Sequence, residues 1–164
     1  MDSDVVKLLL ALFLVVLNGF FVAAEFSIVK VRYSQIQIKA AEGNAMAKQA
    51  EHLIKHLDEY LSATQLGITL ASLALGWVGE SAMHHVIEKT LHYFSIALVD
   101  STITTISLVI SFLLITIMHI VFGELIPKSI AIRKSEQTAM LIAMPLRVFY
   151  TVFKPFIWSM NQMS

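Results

Sequence analysis

The segment 123–128, which reads Gly-Glu-Leu-Ile-Pro-Lys, contains the residue types best suited to binding a cation. It lies near the end of the apolar run 101–126, where a carboxylate is costly unless it faces a helix bundle or a wet cavity. In a helix, Pro127 has no N–H for the carbonyl of Gly123, and its ring pushes against that carbonyl. We therefore expect a wide, π-type turn that frees this carbonyl beside the Glu124 carboxylate. Such oxygen ligands are typical of sites for hard cations.

Two alternatives apply to this segment. Glu124 could instead lie at the membrane interface, paired with Lys128, which follows four residues later. His119 precedes Gly123 by four residues, so it could face the same cavity as Glu124. A satisfied buried histidine is the simpler interpretation of His119.

A second polar group of residues interrupts the first apolar run, at 8–29. Asn18, Val22 and Glu25 are spaced i, i+4 and i+7, which puts them on one helix face. This face could line a polar path. Alternatively, Asn18 bonds a neighbouring helix and Glu25 reaches the interface.

The apolar run 61–79 is unusually rich in small residues. Two stripes of such residues predict a helix that packs on two sides, in the centre of a bundle. Ser72 falls near the middle of the membrane and is the best oxygen ligand in this run, unless its hydroxyl bonds back to its own helix. The stripes are Ala63, Gly67, Ala71, Ala74 and Thr69, Ser72, Gly76, Gly79.

The composition restricts the class of protein. The chain has 164 residues, of which 57% are hydrophobic, and a mean hydropathy of +0.72. A chain with this composition is too apolar for an ordinary soluble domain. The formal net charge of zero gives no indication of a nucleic-acid partner, and the lack of cysteine excludes thiolate metal sites and disulfides. No nucleotide-binding or acyl-transfer motif is present, so we expect no enzyme.

We predict an all-α membrane protein with three transmembrane helices, at about 8–29, 61–79 and 101–127. Each run is long enough to cross a hydrocarbon core of about 30 Å as a helix. Residues 82–96 are expected to form short re-entrant or interfacial helices.

The segment 30–59 is polar and basic. Gly43-Asn44 predicts a helix stop followed by a new N-cap, before an amphipathic helix that lies on the membrane surface or the protein body. His52 and His56 are four residues apart and could hold a metal, but such a pair is more often a solvated face.

The C-terminal segment, at about 136–160, is apolar but interrupted. Arg147 and Lys154 carry charge, and Pro145 and Pro155 break the pattern. We interpret it as two short amphipathic helices that form a juxtamembrane belt. Five Lys/Arg lie in segment 30–59 and five in segment 128–164, so the positive-inside rule puts the N-terminus outside and the C-terminus in the cytoplasm.

Three motifs in order resemble the transmembrane domain of the CorC/CNNM family, which is also described as hemolysin-like. They are LNGFFVAAEF at 17–26, ATQLGITLASL at 63–73 and GELIPK at 123–128. The resemblance covers essentially the whole chain. It implies three spans with a belt helix, a homodimer in the bacterial inner membrane, and transport of Mg²⁺. Transport in this family is generally discussed as efflux, with Na⁺ as a candidate coupling ion.

The resemblance also implies a dehydrated Mg²⁺ between the three spans, bound by side-chain and main-chain oxygens. Carried over by position, Glu124 supplies the carboxylate, Gly123 the freed carbonyl, and Ser72 a hydroxyl. Val22 stands where many relatives have serine, so only its backbone carbonyl could bind. Asn18, one turn earlier, could compensate.

Family members normally continue into cytoplasmic CBS domains, which bind nucleotide, and a small C-terminal domain. We therefore expect this chain to be a truncated transmembrane domain, with no nucleotide site of its own. Two rival functions stay open. One is export of an organic cation such as a polyamine, with Glu124 or Glu25 as the counter-ion. The other is a non-transporting anchor or scaffold, whose small residues serve assembly.

Overall fold

The computed structural model describes residues 3–93 and 100–163, and all regular structure within these ranges is helical. One short helix of π type lies between α5 and α6. The α-helices are α1 (Ser3–Lys30), α2 (Tyr33–Ala41), α3 (Ala45–Lys55), α4 (Leu57–Tyr93), α5 (Asp100–Met118), α6 (Ile126–Arg133) and α7 (Ser135–Met163).

Within the described residues, four helical segments are long and apolar enough to cross a membrane. The predicted all-α class is therefore confirmed, and each of the three predicted spans falls within one of these segments. The fourth coincides with the predicted belt, so length and composition alone do not give the number of spans. The four segments are Val5–Lys30, Leu57–Leu91, Ser101–Arg133 and Ser135–Ser159.

The helices α1 and α4 form the central pair of the fold and share its largest interface. Ala63 and Ala71 of α4 are fully or almost fully buried, as the first small-residue stripe predicted. In the second stripe Thr69 and Gly76 are exposed, so that face of α4 is not packed along its length. The remaining segments pack around this pair. The helix α5 lies against α4, the π-helix and α6 lie against α1, and α7 contacts both α1 and α4.

The prediction of separate short helices at 82–96 was wrong over residues 82–93. The helix α4 runs without a break from Leu57 to Tyr93, through the region in which separate short helices were expected. Gly76 and Gly79 do not end it, because neither occupies a left-handed conformation. Residues 94–96 of the predicted interfacial helices lie outside the described residues.

The predicted pair of belt helices was also wrong, because α7 is one continuous helix from Ser135 to Met163. It contains both Pro145 and Pro155. Each proline removes one hydrogen bond, from the carbonyl four residues earlier. These carbonyls belong to Leu141 and Thr151, which are both exposed, so the lost bonds lie at the surface of the fold.

The turn between α2 and α3 confirms the prediction at Gly43-Asn44. Gly43 has φ +95°, a left-handed conformation that glycine adopts without strain. The Asn44 side chain accepts hydrogen bonds from the N–H groups of Met46 (2.9 Å) and Ala47 (3.1 Å), which caps α3. The resulting α2–α3 hairpin buries Ile36 and Leu53 against α1, α4 and α7.

Candidate cation site

A π-helix from His119 to Leu125 contains most of the predicted cation motif. The N–H of Ile126 bonds to the carbonyl of Val121, five residues earlier rather than four. The widening occurs just before Pro127, whose ring cannot share space with the carbonyl of a normal turn. The wide turn predicted from Gly123 and Pro127 is therefore confirmed.

A close approach between α1 and the π-helix positions this motif. A Cβ atom at Gly19 would lie 2.9 Å from Cγ of Pro127 and 3.2 Å from the carbonyl oxygen of Phe122. The first distance is shorter than any ordinary contact. Gly19 is thus the residue that lets α1 lie directly against the proline.

Asn18 joins three helical segments at this point. Its side chain is fully buried. Its Nδ2 donates to the carbonyl oxygen of Gly123 (3.0 Å), and its Oδ1 accepts from the Ser72 hydroxyl on α4 (3.1 Å). The structure therefore agrees with the alternative in which Asn18 forms hydrogen bonds with neighbouring helices. Ser72 bonds across the bundle, not back to its own helix as its alternative supposed.

His119 and Glu124 continue this chain of polar contacts. The Nε2 atom of His119 lies 3.3 Å from Oγ of Ser72 and 3.8 Å from Oε1 of Glu124. Glu124 is 49% exposed, and His119 is 23% exposed. The site therefore opens to the surface of the chain on its Glu124 side, and His119 is only partly buried.

Lys128 does not pair with Glu124. Its ammonium lies over the ring of Phe26, 4.3 Å from the ring centroid. Its charge also acts on the partly buried Glu25 carboxylate of α1. Pairing of Glu124 with Lys128 was the alternative given for this segment, and the structure does not have it.

The five predicted ligand positions are thus not equivalent in the structure. Asn18, Ser72, Gly123 and Glu124 are linked by hydrogen bonds or by way of His119. Val22 lies one turn after Asn18 on α1, with a buried apolar side chain outside this chain of contacts. Glu25 also lies outside it.

The donor atoms of the group are of the kind that cation sites use. It combines a backbone carbonyl, an amide oxygen, a hydroxyl and a carboxylate, all of them hard oxygen donors. The amide and the hydroxyl satisfy each other in the structure, so the buried polar groups have partners. A cation would bind by replacing the bond between Ser72 and Asn18 with bonds from both oxygens.

The histidine pair of the sequence analysis, His52 and His56, lies at the end of α3, outside the contacts of the candidate site. The rings of His52 and His56 are 4.4 Å apart. Burial lowers the pKa of His52, and the neighbouring His56 lowers it further. Among the described residues no three His, Cys, Asp or Glu side chains lie together, so a cation site there would also need carbonyl, amide or hydroxyl oxygens.

Sequence reasoning missed a cavity that adjoins the site. Ser72 and His119 both line it, and it continues along α4 and α5 with a volume of about 150 Å³. Thr116 and Glu80 contribute its other polar groups. The spacing of Ser72, Gly76 and Glu80, at i, i+4 and i+8, was the available signal for one shared face.

Known proteins resemble this chain over nearly its whole length. The family of the cyclin M transmembrane N-terminal domain matches residues 9–164. The UPF0053 protein YhdT of Bacillus subtilis is 48% identical over 161 residues, which are 97% of this chain and 34% of that protein. The UPF0053 protein YrkA of the same organism is 44% identical over 156 residues, 95% of this chain and 36% of that protein.

A more distant relative is the polyamine export protein of Haemophilus influenzae. It is 29% identical over 160 residues, which are 96% of this chain and 36% of that protein. The chain thus spans about a third of the length of the curated relatives it matches. Its long apolar helices and the extent of the family match lead to one identification: the chain is a multi-pass membrane protein that belongs to the cyclin M (CNNM) transmembrane-domain family.

Proposed function

We propose that this domain transports Mg²⁺ out of the cell, through a site between α1, α4 and the π-helix. The observation that carries the proposal is the convergence of Asn18, Ser72 and Gly123 within hydrogen-bonding distance, beside the Glu124 carboxylate. Mg²⁺ gives up water reluctantly and requires several oxygen ligands in near-octahedral geometry. Preplaced oxygens from three helical segments would compensate for the lost water.

In this proposal each residue has a separate role. Glu124 supplies the negative charge, and Gly123 supplies a carbonyl. Ser72 and Asn18 supply neutral oxygens, and Val22 contributes only its backbone carbonyl. Because Glu124 is half exposed, it meets the incoming ion first, and the buried Asn18 completes the site.

We infer three membrane spans, with α7 as a belt in the interface. Pro145 and Pro155 free the carbonyls of the exposed Leu141 and Thr151. In the hydrocarbon core these carbonyls would have no partner, whereas water satisfies them at the interface. The polar contacts of α7 with α3 and α4 favour the same location. Arg147 donates to Gln49 (2.6 Å), and the Tyr150 hydroxyl donates to Glu59.

Three spans and the distribution of positive charge give the orientation. The segments 30–59 and 128–164 carry ten of the twelve Lys/Arg residues, so both would face the cytoplasm. The N-terminus would then lie outside the inner membrane, and the Glu124 side of the site would open inward. We further propose that the working unit is a homodimer, and that an inward Na⁺ gradient is the source of energy for efflux.

Isothermal titration of the detergent-purified protein with Mg²⁺ tests the site. We expect saturable heat from the wild type and at least about a tenfold loss of affinity in Glu124→Gln, because the neutral amide keeps the shape but removes the charge. Glu42→Gln, at an exposed glutamate on the α2–α3 turn, is the matched control. Equal heats from Glu124→Gln and the wild type would contradict the proposal.

A second candidate is export of a polyamine, which the name of the Haemophilus influenzae relative supports. A polyamine is an extended organic cation, and it would pair one ammonium with the same Glu124 carboxylate. Titration with spermidine before Mg²⁺ separates the two candidates. If Mg²⁺ keeps its full affinity in saturating spermidine, the two cations do not share a site. If spermidine binding gives heat that is lost in Glu124→Gln, polyamine export becomes the favoured function.

A further inference from the structure

The proposed cytoplasmic entrance of the site is at Glu124. The cavity lies on the opposite side of the site from this entrance. It begins at Ser72 and His119, which also belong to the cation site. On α4 it follows Ser72, Gly76 and Glu80, which lie on one face. Eight residues at 1.5 Å per residue put Glu80 about 12 Å from Ser72 along α4. The cavity therefore leads from the site toward the outer end of α4, as oriented above.

Gly76 lines this cavity, and packing does not explain its lack of a side chain. A Cβ atom at Gly76 would meet nothing within 4 Å. Gly79, one turn later, is different, because its Cβ would lie 3.2 Å from the side chain of Ile115 on α5. Gly79 thus permits close packing of α4 on α5, while Gly76 faces open space.

The polar groups of the cavity lie where a cation would need them. Thr116 and His119 on the α5 side and Ser72 on the α4 side line the inner part, and Glu80 lies at the end. Glu80 is exposed, and within the described residues no ion pair neutralises it. The volume of about 150 Å³ is room for several water molecules, which a departing Mg²⁺ must regain.

We propose that this cavity is the outward arm of the cation path, and that Glu80 is a second, weakly binding carboxylate at its exit. This inference rests on the proposed function, because it takes Glu124 as the inner site. Mg²⁺ leaving the site would pass Ser72 and Thr116 and regain water beside Gly76. The carboxylate of Glu80 would then hold the hydrated ion before release.

Thiol labelling tests the path directly, because the chain has no cysteine of its own. Gly76→Cys and Thr116→Cys would put single thiols in the cavity. Leu73→Cys, on the exposed apolar face of α4, is the matched control. A membrane-impermeant, positively charged methanethiosulfonate would be added to either side of sealed vesicles that contain the protein.

We expect both cavity thiols to react from the side opposite the Lys/Arg-rich segments, at least about tenfold faster than Leu73→Cys, because only a thiolate in contact with water reacts readily. Rates equal to that of Leu73→Cys, or reaction only from the Lys/Arg-rich side, would overturn the proposed path. Size-exclusion elution identical to that of the wild type shows that each variant has folded.

Mg²⁺ flux from proteoliposomes tests Glu80. We expect Glu80→Gln to lower the flux at least about fivefold, because fivefold is the factor for two unit charges about 4 Å apart in water and Mg²⁺ carries two charges. Its Mg²⁺ affinity at the inner site should stay unchanged in titration. Glu88→Gln, two turns further along α4, is the control. Flux from Glu80→Gln equal to that from Glu88→Gln would overturn the role of Glu80.

Failure of this inference differs from failure of the proposed function. Normal Mg²⁺ binding together with unreactive cavity thiols would overturn the outward path and leave the Glu124 site standing. Mg²⁺ heat that is unchanged in Glu124→Gln would overturn the inner site instead.

Discussion

Asn18 is the residue that couples the three helical segments of the site. Its amide nitrogen satisfies the Gly123 carbonyl, and its amide oxygen satisfies the Ser72 hydroxyl. A polar group without a hydrogen-bond partner inside the membrane would destabilise the fold, because neither lipid nor apolar side chains can form a hydrogen bond with it. The amide therefore stabilises the π-helix, and in the proposed site its oxygen would also bind the cation.

Asn18→Leu is expected to destabilise the fold by roughly 1–3 kcal/mol, because it leaves the Gly123 carbonyl and the Ser72 hydroxyl without this partner. The apolar isostere fills the same space, so the loss reports mainly on the polar contacts. The measurement is the thermal unfolding midpoint in detergent. Asn161→Ala is the control, because it removes only an exposed hydrogen bond with Ser62. Equal midpoints for the two variants would contradict the structural role of Asn18.

Residues close in sequence gave the better predictions at this scale. The π-turn followed from Gly123 and Pro127, which are four residues apart. The bond between Ser72 and Asn18 joins positions 54 apart, so no local pattern could indicate it. The same holds for Lys128, whose position over Phe26 depends on how α6 packs against α1.

At the scale of the helix, α4 has glycines with opposite roles. A Cβ atom at Gly67 would lie 2.5 Å from the ring of Phe21, which is itself packed against Phe20 and Phe149. Gly67 therefore allows α4 to lie close to α1. A Cβ atom at Gly76 would have no neighbouring atom within 4 Å, so a larger residue could replace this glycine without a clash.

The same substitution at these two positions should have opposite effects. Gly67→Ala is expected to cost about 1–3 kcal/mol, because the new methyl group would push the Phe21 ring out of its contacts with Phe20 and Phe149. Gly76→Ala is expected to be neutral or to stabilise by up to about 1 kcal/mol, through the higher helix propensity of alanine. Unfolding midpoints of the two variants, measured side by side, check the prediction. A lower midpoint for Gly76→Ala than for Gly67→Ala would contradict it.

The cap of α3 offers a test outside the membrane. Asn44→Ala removes the acceptor for the N–H groups of Met46 and Ala47, and we expect a loss of about 1 kcal/mol. Asn44→Ser is the matched control, because serine also caps helices well. Hydrogen exchange of the first α3 amides should quicken in Asn44→Ala and change little in Asn44→Ser. Unchanged exchange in both variants would show that the cap does not hold the helix end.

Helix starts and stops were predictable where a backbone requirement fixes them, as at Gly43 and Asn44. Continuity was not predictable. Pro145 and Pro155 were interpreted as breaks, yet α7 continues through both. A helix whose freed carbonyls lie at its surface loses little, and its buried face still packs on α1, α3 and α4. That packing comes from the rest of the chain and leaves no mark in the local sequence.

At the scale of the whole molecule, the apolar surface is unevenly covered. The third long segment, Ser101–Arg133, is the least buried of the four candidate spans. Its exposed side chains include Val109, Leu113 and Ile117 on successive turns of α5. An apolar face of this kind contacts either lipid or protein in a membrane. The sequence indicates such a face by its hydropathy, but composition cannot distinguish lipid from a second copy of the chain.

Oxidative cross-linking shows whether lipid or a second copy of the chain contacts the exposed face of α5. We expect it to give dimers through α5. Single cysteines on its exposed face should form disulfides between two copies under copper phenanthroline, because a two-fold interface brings equal positions close together. Cysteines on the exposed face of α1 should stay monomeric if lipid covers that face. The natural absence of cysteine makes each bond unambiguous. Dimers from α1 rather than α5 would move the interface, and none from either would contradict a dimer through these helices. The test positions are Val109, Leu113 and Ile117, with Leu9, Leu12 and Val16 as controls.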